Sequence, residues 1–155
     1  MKIREIKGDL VSHALERSKH HEVVLVHCIS QDCKMGAGIA KVVREKFGQV
    51  EEKLKPQEQK VGGIAWLFRP NDQNLAVANL ITKQLFYHKP TEAALEECMH
   101  KLRDACLKCE LWNLCISPLG CALDGLSWKR VRAMLESVFT DPRFSIDMVY
   151  YRYNP

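Results

Sequence analysis

The stretch Val23-Val24-Leu25-Val26-His27-Cys28-Ile29-Ser30-Gln31-Asp32-Cys33-Lys34-Met35-Gly36-Ala37-Gly38-Ile39-Ala40 decides the fold of this chain. Its first four residues form a β-branched apolar run of the kind buried inside a sheet. Beyond Gly36-Ala37-Gly38, the residues Ile39, Ala40, Val42, Val43 and Phe47 recur at helical spacing, and Gly48 supplies a stop. Strand, glycine turn and helix in succession are the unit of an α/β fold. The turn occupies the place where such folds bind anions, at the carboxyl end of a strand and the N-terminus of a helix.

Outward from this unit, residues 2–6 alternate as a short strand, with a loop or short helix between it and residue 23. A polar, lysine-rich stretch over 51–60 is broken by Pro56. Residues 64–68 and 75–82 read as two strands of a hairpin joined through Asn71-Asp72-Gln73-Asn74. Pro90-Thr91 opens the longest helical pattern, with Leu95, Cys98, Met99, Leu102, Cys106 and Leu107 on one apolar face. A buried-type strand over 112–116, a turn-rich loop over 117–124, a helix over 126–139 with Val131, Leu135 and Val138 inward, and a last strand over 144–151 complete the chain. This alternation predicts a mixed sheet sandwiched between helices.

At 155 residues the chain suits one domain, able to bury roughly 70% of its unfolded surface. Hydrophobic residues make up 46% and charged residues 27%, with mean hydropathy −0.23, a composition of soluble globular domains. The 23 basic and 19 acidic residues are interspersed, leaving a charge of +4 that permits an anionic ligand. No module of basic residues interleaved with stacking aromatics stands out, so direct nucleic-acid binding is not expected. The N-terminus shows neither a long apolar signal region nor a membrane-spanning run, and seven scattered cysteines suit a reducing compartment. These features predict an intracellular protein, nuclear or cytoplasmic, with no membrane partner.

A second candidate ligand loop is Ser117-Pro118-Leu119-Gly120-Cys121-Ala122-Leu123-Asp124. In both loops glycine lets backbone N–H groups approach an oxyanion, and a following helix adds about 0.3–1 kcal/mol of attraction. Neither loop carries Gly-x-x-x-x-Gly-Lys-Ser/Thr, and Gly36-x-Gly38 lacks the later glycine of the dinucleotide fingerprint, which disfavours ATP hydrolysis and hydride transfer. Ser117-Pro118 has no nucleophile-elbow setting. Cys106-x-x-Cys109 has zinc-like spacing but no second cysteine pair to complete a site, so no metal is expected.

Lys7-Gly8-Asp9-Leu10, Gly36-Ala37-Gly38-Ile39-Ala40 and Gly120-Cys121-Ala122-Leu123-Asp124, in that order, resemble a macrodomain. With His27-Cys28-Ile29-Ser30, Leu80-Ile81-Thr82-Lys83 and His88-Lys89-Pro90-Thr91 added, the chain is similar to the terminal ADP-ribose protein glycohydrolase branch over nearly its whole length. The resemblance implies one macrodomain over residues 1–155: a three-layer α/β/α sandwich with a mixed central sheet that binds ADP-ribose. It further implies hydrolysis of ADP-ribose esters on protein glutamate or aspartate, with deacylation of O-acetyl-ADP-ribose as a related activity. A non-catalytic ADP-ribose reader and an ADP-ribose 1''-phosphate phosphatase are the alternatives.

The resemblance also assigns roles. Lys83 is expected to attack the anomeric carbon of the distal ribose, and Asp124 to protonate the departing carboxylate and then act as base. An unperturbed lysine, pKa about 10.4, costs roughly 4.6 kcal/mol to deprotonate at neutral pH, so its surroundings must lower that cost or a base must take the proton. Asp9 is expected to accept from the adenine amino group, with Leu10 helping to read the ring, although an aspartate after a strand is as readily a helix cap. His27, Ser30, Met35, Gly36, Gly38 and Ile39 from the first loop, and Pro118, Gly120, Cys121, Ala122 and Leu123 from the second, are expected to line the ligand. Tyr150 or its neighbour Tyr151 is expected to stack on adenine. No cofactor is expected, and the partners are ADP-ribose and ADP-ribosylated proteins, met by a monomer. Gln84-Leu85-Phe86-Tyr87 and Ala122 depart from the branch and bear on substrate access.

Overall fold

A computed structural model describes residues 1–121 and 125–151. Six strands form one sheet: β1 (Lys2–Lys7), β2 (Val23–Ser30), β3 (Ile64–Phe68), β4 (Leu75–Lys83), β5 (Asn113–Ile116) and β6 (Ser145–Tyr150), in the order β1-β6-β5-β2-β4-β3. Five of them run parallel, and β3 pairs antiparallel with β4 as the expected hairpin. The mixed sheet is covered on both faces by helices, so the α/β/α architecture expected from the sequence is observed.

Strand periodicity divides the core in two. Val24, Val26, Ala78, Leu80, Leu114, Ile116, Ile146 and Met148 pack beneath α4 (Glu92–Cys109) and α5 (Trp128–Val138). Val23, Leu25, Val77, Ile81, Cys115 and Val149 pack beneath α1 (Leu10–Arg17), α2 (Gly38–Phe47) and α3 (Val50–Leu54). Each fully buried leucine or valine contributes about 1.5–3 kcal/mol. Both faces being covered explains why β2 and β4 read as continuous apolar runs.

The segment left open between the first two strands is the helix α1, capped by Asp9, whose Oδ1 accepts from the Ser12 amide at 2.9 Å. The polar stretch after residue 50 contains α3, anchored by buried Val50 and Leu54 one turn apart, and a 3₁₀ turn at Lys55–Gln57. Leu107 departs from its expected place: it is 38% exposed, because it falls beyond the inner stripe that ends at Cys106. α5 starts at Trp128, two residues later than its apolar pattern suggests.

Two polar features brace the sheet. Asp147 of β6 is buried beneath α1, where it accepts both guanidinium bonds of Arg4 at 2.9 Å and one bond from His13 Nε2 at 2.8 Å. Burial pushes its carboxyl up, but Arg4 and His13 outweigh that and hold it below the usual carboxylate range. On the outer edge strand β3, the Gln57 side chain accepts from Trp66 N at 2.8 Å and donates to Trp66 O at 2.7 Å.

Candidate functional site

Because five strands are parallel, their carboxyl ends emerge along one edge of the sheet. The chain segments following β2, β4 and β5 enclose a cavity of about 550 Å³ there, the position expected for a ligand in an open α/β sheet.

One wall is the glycine turn, residues 36–40. The residue preceding α2 is Ala37, which has no side-chain acceptor, so no side chain caps the first-turn amides of the helix. Gly38 adopts φ 58°, a conformation costing other residues roughly 1–2 kcal/mol, and the space where its Cβ would stand is open. The α2 N-terminus therefore presents uncapped N–H donors and positive dipole to the cavity, the arrangement that suits a phosphate.

Lys83 reaches the same cavity through a β-bulge. The β2–β4 register pairs Ile29 with Ile81 but Ser30 with Lys83, leaving Thr82 as the extra residue. Continued alternation would place Lys83 on the face of Asn79 and Ile81; the inserted residue sets it opposite Ser30, at the cavity wall. The Gln31 amide donates to Lys83 O at 2.8 Å and fixes the bulge against the glycine turn.

His27, one of the residues lining the cavity, is buried and bonded through Nε2 to Asn79 Oδ1. Since the Asn79 amide nitrogen donates to Ala65 O at 2.9 Å, Oδ1 must accept and His27 Nε2 must carry the proton. Burial pushes the imidazole down to about 4, against the weaker upward pull of the Asn79 bond. His27 is thus neutral at pH 7, and its Nδ1 lone pair has no partner among the described residues.

Asp32 ties the two sides of the entrance together. Its carboxylate accepts from the Ser30 hydroxyl, from Lys34 N at 3.3 Å and from Phe86 N at 3.2 Å. Burial raises this carboxyl, yet the bonds from Ser30, Lys34 and Phe86 prevail and keep it below its ordinary value. The opposite wall is the loop after β5, where Pro118, Gly120 and Cys121 line the cavity. Gly120 sits at φ 74°, and a Cβ there would lie 2.8 Å from Leu126 Cδ1. Burial pushes the Cys121 thiol up to about 11, so it is protonated at neutral pH and is no thiolate nucleophile.

Among the residues singled out from sequence, His27, Ser30, Gly36, Gly38, Ile39, Lys83, Pro118, Gly120 and Cys121 meet in this cavity. Four do not line it. Met35 is 0% exposed in the core beneath α2, and Leu10 is buried under α1. Asp9 and Tyr150 stand farther along the same edge, on adjacent strand ends joined by Gly8 N donating to Tyr150 O at 2.8 Å. Ala122, Leu123 and Asp124 lie outside the described residues. Phe86, noted from sequence as bearing on substrate access, also borders the cavity, whereas no role was assigned to Asp32, Lys34 or Asn79; the lone asparagine within the apolar run 75–82 was the available signal for the buried pair.

All seven cysteines are free thiols, and Cys106 and Cys109 part company, the first buried and the second exposed. Among the described residues one trio with metal-ligating chemistry converges, His13, Cys115 and Asp147. Arg4 and Arg17 already occupy its carboxylate, an electrostatic setting hostile to a cation. No described helix is long and apolar enough to cross a membrane.

No family model matches the chain. It is 40% identical over 147 residues to the ADP-ribose glycohydrolase OARD1 of Bos taurus, covering 94% of this chain and 90% of that protein. Among solved structures, the macrodomain of Thermus aquaticus DarG superposes with a TM-score of 0.81 at 21% identity, covering 99% of this chain and 98% of that one. Thermosipho africanus DarTG, solved in complex with ADP-ribose, gives a TM-score of 0.80 at 18% identity, over 100% of this chain and 43% of that one.

Proposed function

We propose that this chain, which belongs to the OARD1 family of macrodomain proteins, is a hydrolase that binds ADP-ribose and releases it from ester linkage to glutamate or aspartate side chains of proteins. The observation that carries the reading is one cavity holding both the uncapped α2 N-terminus and Lys83 set in by the bulge. The first suits a diphosphate; the second brings a nucleophile to the far end of a ligand held there.

On this reading the diphosphate sits on the amides of residues 36–40, and His27, buried and neutral, contributes to the cavity wall without bringing charge to it. The Lys83 amine attacks the anomeric carbon of the distal ribose as its bond to the protein carboxylate breaks. Asp124 supplies the proton for that carboxylate and then takes one from the water that frees the sugar, so the lysine is regenerated. Asp9, Leu10 and Tyr150, at the ends of β1 and β6, are assigned to the adenine end. O-acetyl-ADP-ribose presents the same bond with a smaller acyl group and is included as a substrate.

The test is release of ADP-ribose from a protein modified on glutamate. Wild-type protein is expected to release it, and Lys83→Ala to lose at least about a hundredfold in rate while the calorimetric affinity for ADP-ribose stays within about threefold. Binding without release by the wild-type protein would leave a reader module and overturn the enzyme reading.

A further inference from the structure

We propose that residues 85–89 form a docking platform for the protein side of the substrate, selecting acidic peptide segments that carry an apolar residue beside the modified side chain. This rests on the hydrolase reading, which puts the anomeric carbon at Lys83 and the protein just beyond it.

Directly after Lys83 the chain exposes Leu85, Phe86 and Tyr87, with 51% of Phe86 and 68% of Tyr87 accessible, and Phe86 borders the cavity. Such a cluster at a site entrance is a contact surface in waiting. It is also held in place. Phe86 N donates to Asp32, Asp32 N donates to Gln84 O at 3.2 Å, and His88 N closes a turn on Leu85 O at 2.9 Å. A platform ordered before binding loses little entropy when a peptide settles on it.

Charge and ring geometry decide the occupant. Lys34 and Lys89 are exposed and form no ion pair among the described residues, and these two ammonium groups outnumber the single carboxylate of Asp32, which faces inward onto the Ser30 hydroxyl and the amides of Lys34 and Phe86. The rim is therefore electropositive and attracts an acidic segment. The rings meet edge to face, Phe86 with Tyr87 at 5.3 Å and 89°, Tyr87 with His88 at 4.8 Å and 75°, while the Lys34 ammonium lies 5.0 Å from the Phe86 ring centre. Rings braced in this way, with Leu85 beside them, favour an aliphatic or aromatic side chain over the parallel stacking of nucleobases.

The test uses Tyr87→Ala and Lys89→Glu, two exposed positions outside the cavity wall, and four probes that share ADP-ribose: O-acetyl-ADP-ribose, a glutamate-modified acidic peptide with an adjacent leucine, the same peptide with basic flanks, and an ADP-ribosylated oligonucleotide. Each variant is expected to lower kcat/KM on the acidic peptide about tenfold while O-acetyl-ADP-ribose hydrolysis stays within about twofold. Lys89→Glu is also expected to narrow the wild-type preference for acidic over basic flanks. Equal losses on all probes, no loss on the acidic peptide, or a loss confined to an ADP-ribosylated oligonucleotide would each overturn the platform. Failure of wild-type protein to hydrolyse any probe would instead refute the hydrolase reading. In that event the affinity difference between modified peptide and free ADP-ribose, and its response to the two variants, still decides the platform.

Discussion

Lowering the pH should destabilise this protein through His27 in a way that one substitution can isolate. The imidazole has an ordinary value of 6.5 and is pushed down to about 4 in the fold. Above pH 6.5 both folded and unfolded chains hold it neutral, and the group adds no pH dependence. Between 6.5 and 4 only the unfolded chain takes up the proton, so stability falls as pH falls; below 4 the two states again match. The two values give a loss of about 2 kcal/mol by pH 5 and about 3 kcal/mol by pH 4. Urea unfolding at a series of pH values should show this slope in wild-type protein. In His27→Gln, the curve should be flatter by the same amount, whatever its vertical offset, because Asp147 and the other carboxylates titrate in both proteins. Parallel curves would refute the argument, as would an imidazole resonance of His27 titrating near 6.5.

Replacing Asp147 by Ala leaves Arg4, Arg17 and His13 around an empty position, and we expect a loss of about 3 kcal/mol, read as a lower Tm, with ADP-ribose binding retained below the transition. Gly38→Ala places a methyl group in space that the protein leaves open at a φ of 58°; we expect a cost of about 1–2 kcal/mol in unfolding and about a tenfold loss of ADP-ribose affinity by calorimetry, since the methyl stands where an anion would approach the amides. Undiminished affinity would remove the phosphate from the α2 N-terminus.

Much of this architecture is written in local periodicity. The run 23–26, the glycine turn and the 3.6-residue stripe after Gly38 each contain their own reading, and the helix opened by Thr91 forms with Thr91 Oγ1 accepting from the Ala94 amide at 3.1 Å. α1 was harder to read because it is only eight residues long and its start rests on the cap at Asp9. Leu107 misled because a helix one residue past its stripe turns outward by 100°. The site divides likewise. Residues in sequence with the two loops could be found as motifs, whereas the bond that holds the Phe86 amide to Asp32, 54 positions earlier, has no signal in the sequence. Nor does anything in Leu80-Ile81-Thr82-Lys83 reveal that Thr82 is the extra residue of a bulge, since that depends on the register against β2.

Gln57 carries a consequence of another kind. A glutamine side chain ends in the same amide as a peptide bond, and here it meets the N–H and the C=O of Trp66, as a residue of a neighbouring strand would. The sheet is thus terminated by a counterfeit strand one residue long. Another chain arriving at β3 finds the middle of that edge already taken, and the protein can display the stacked Trp66 and Phe68 rings there without inviting the sheet to grow.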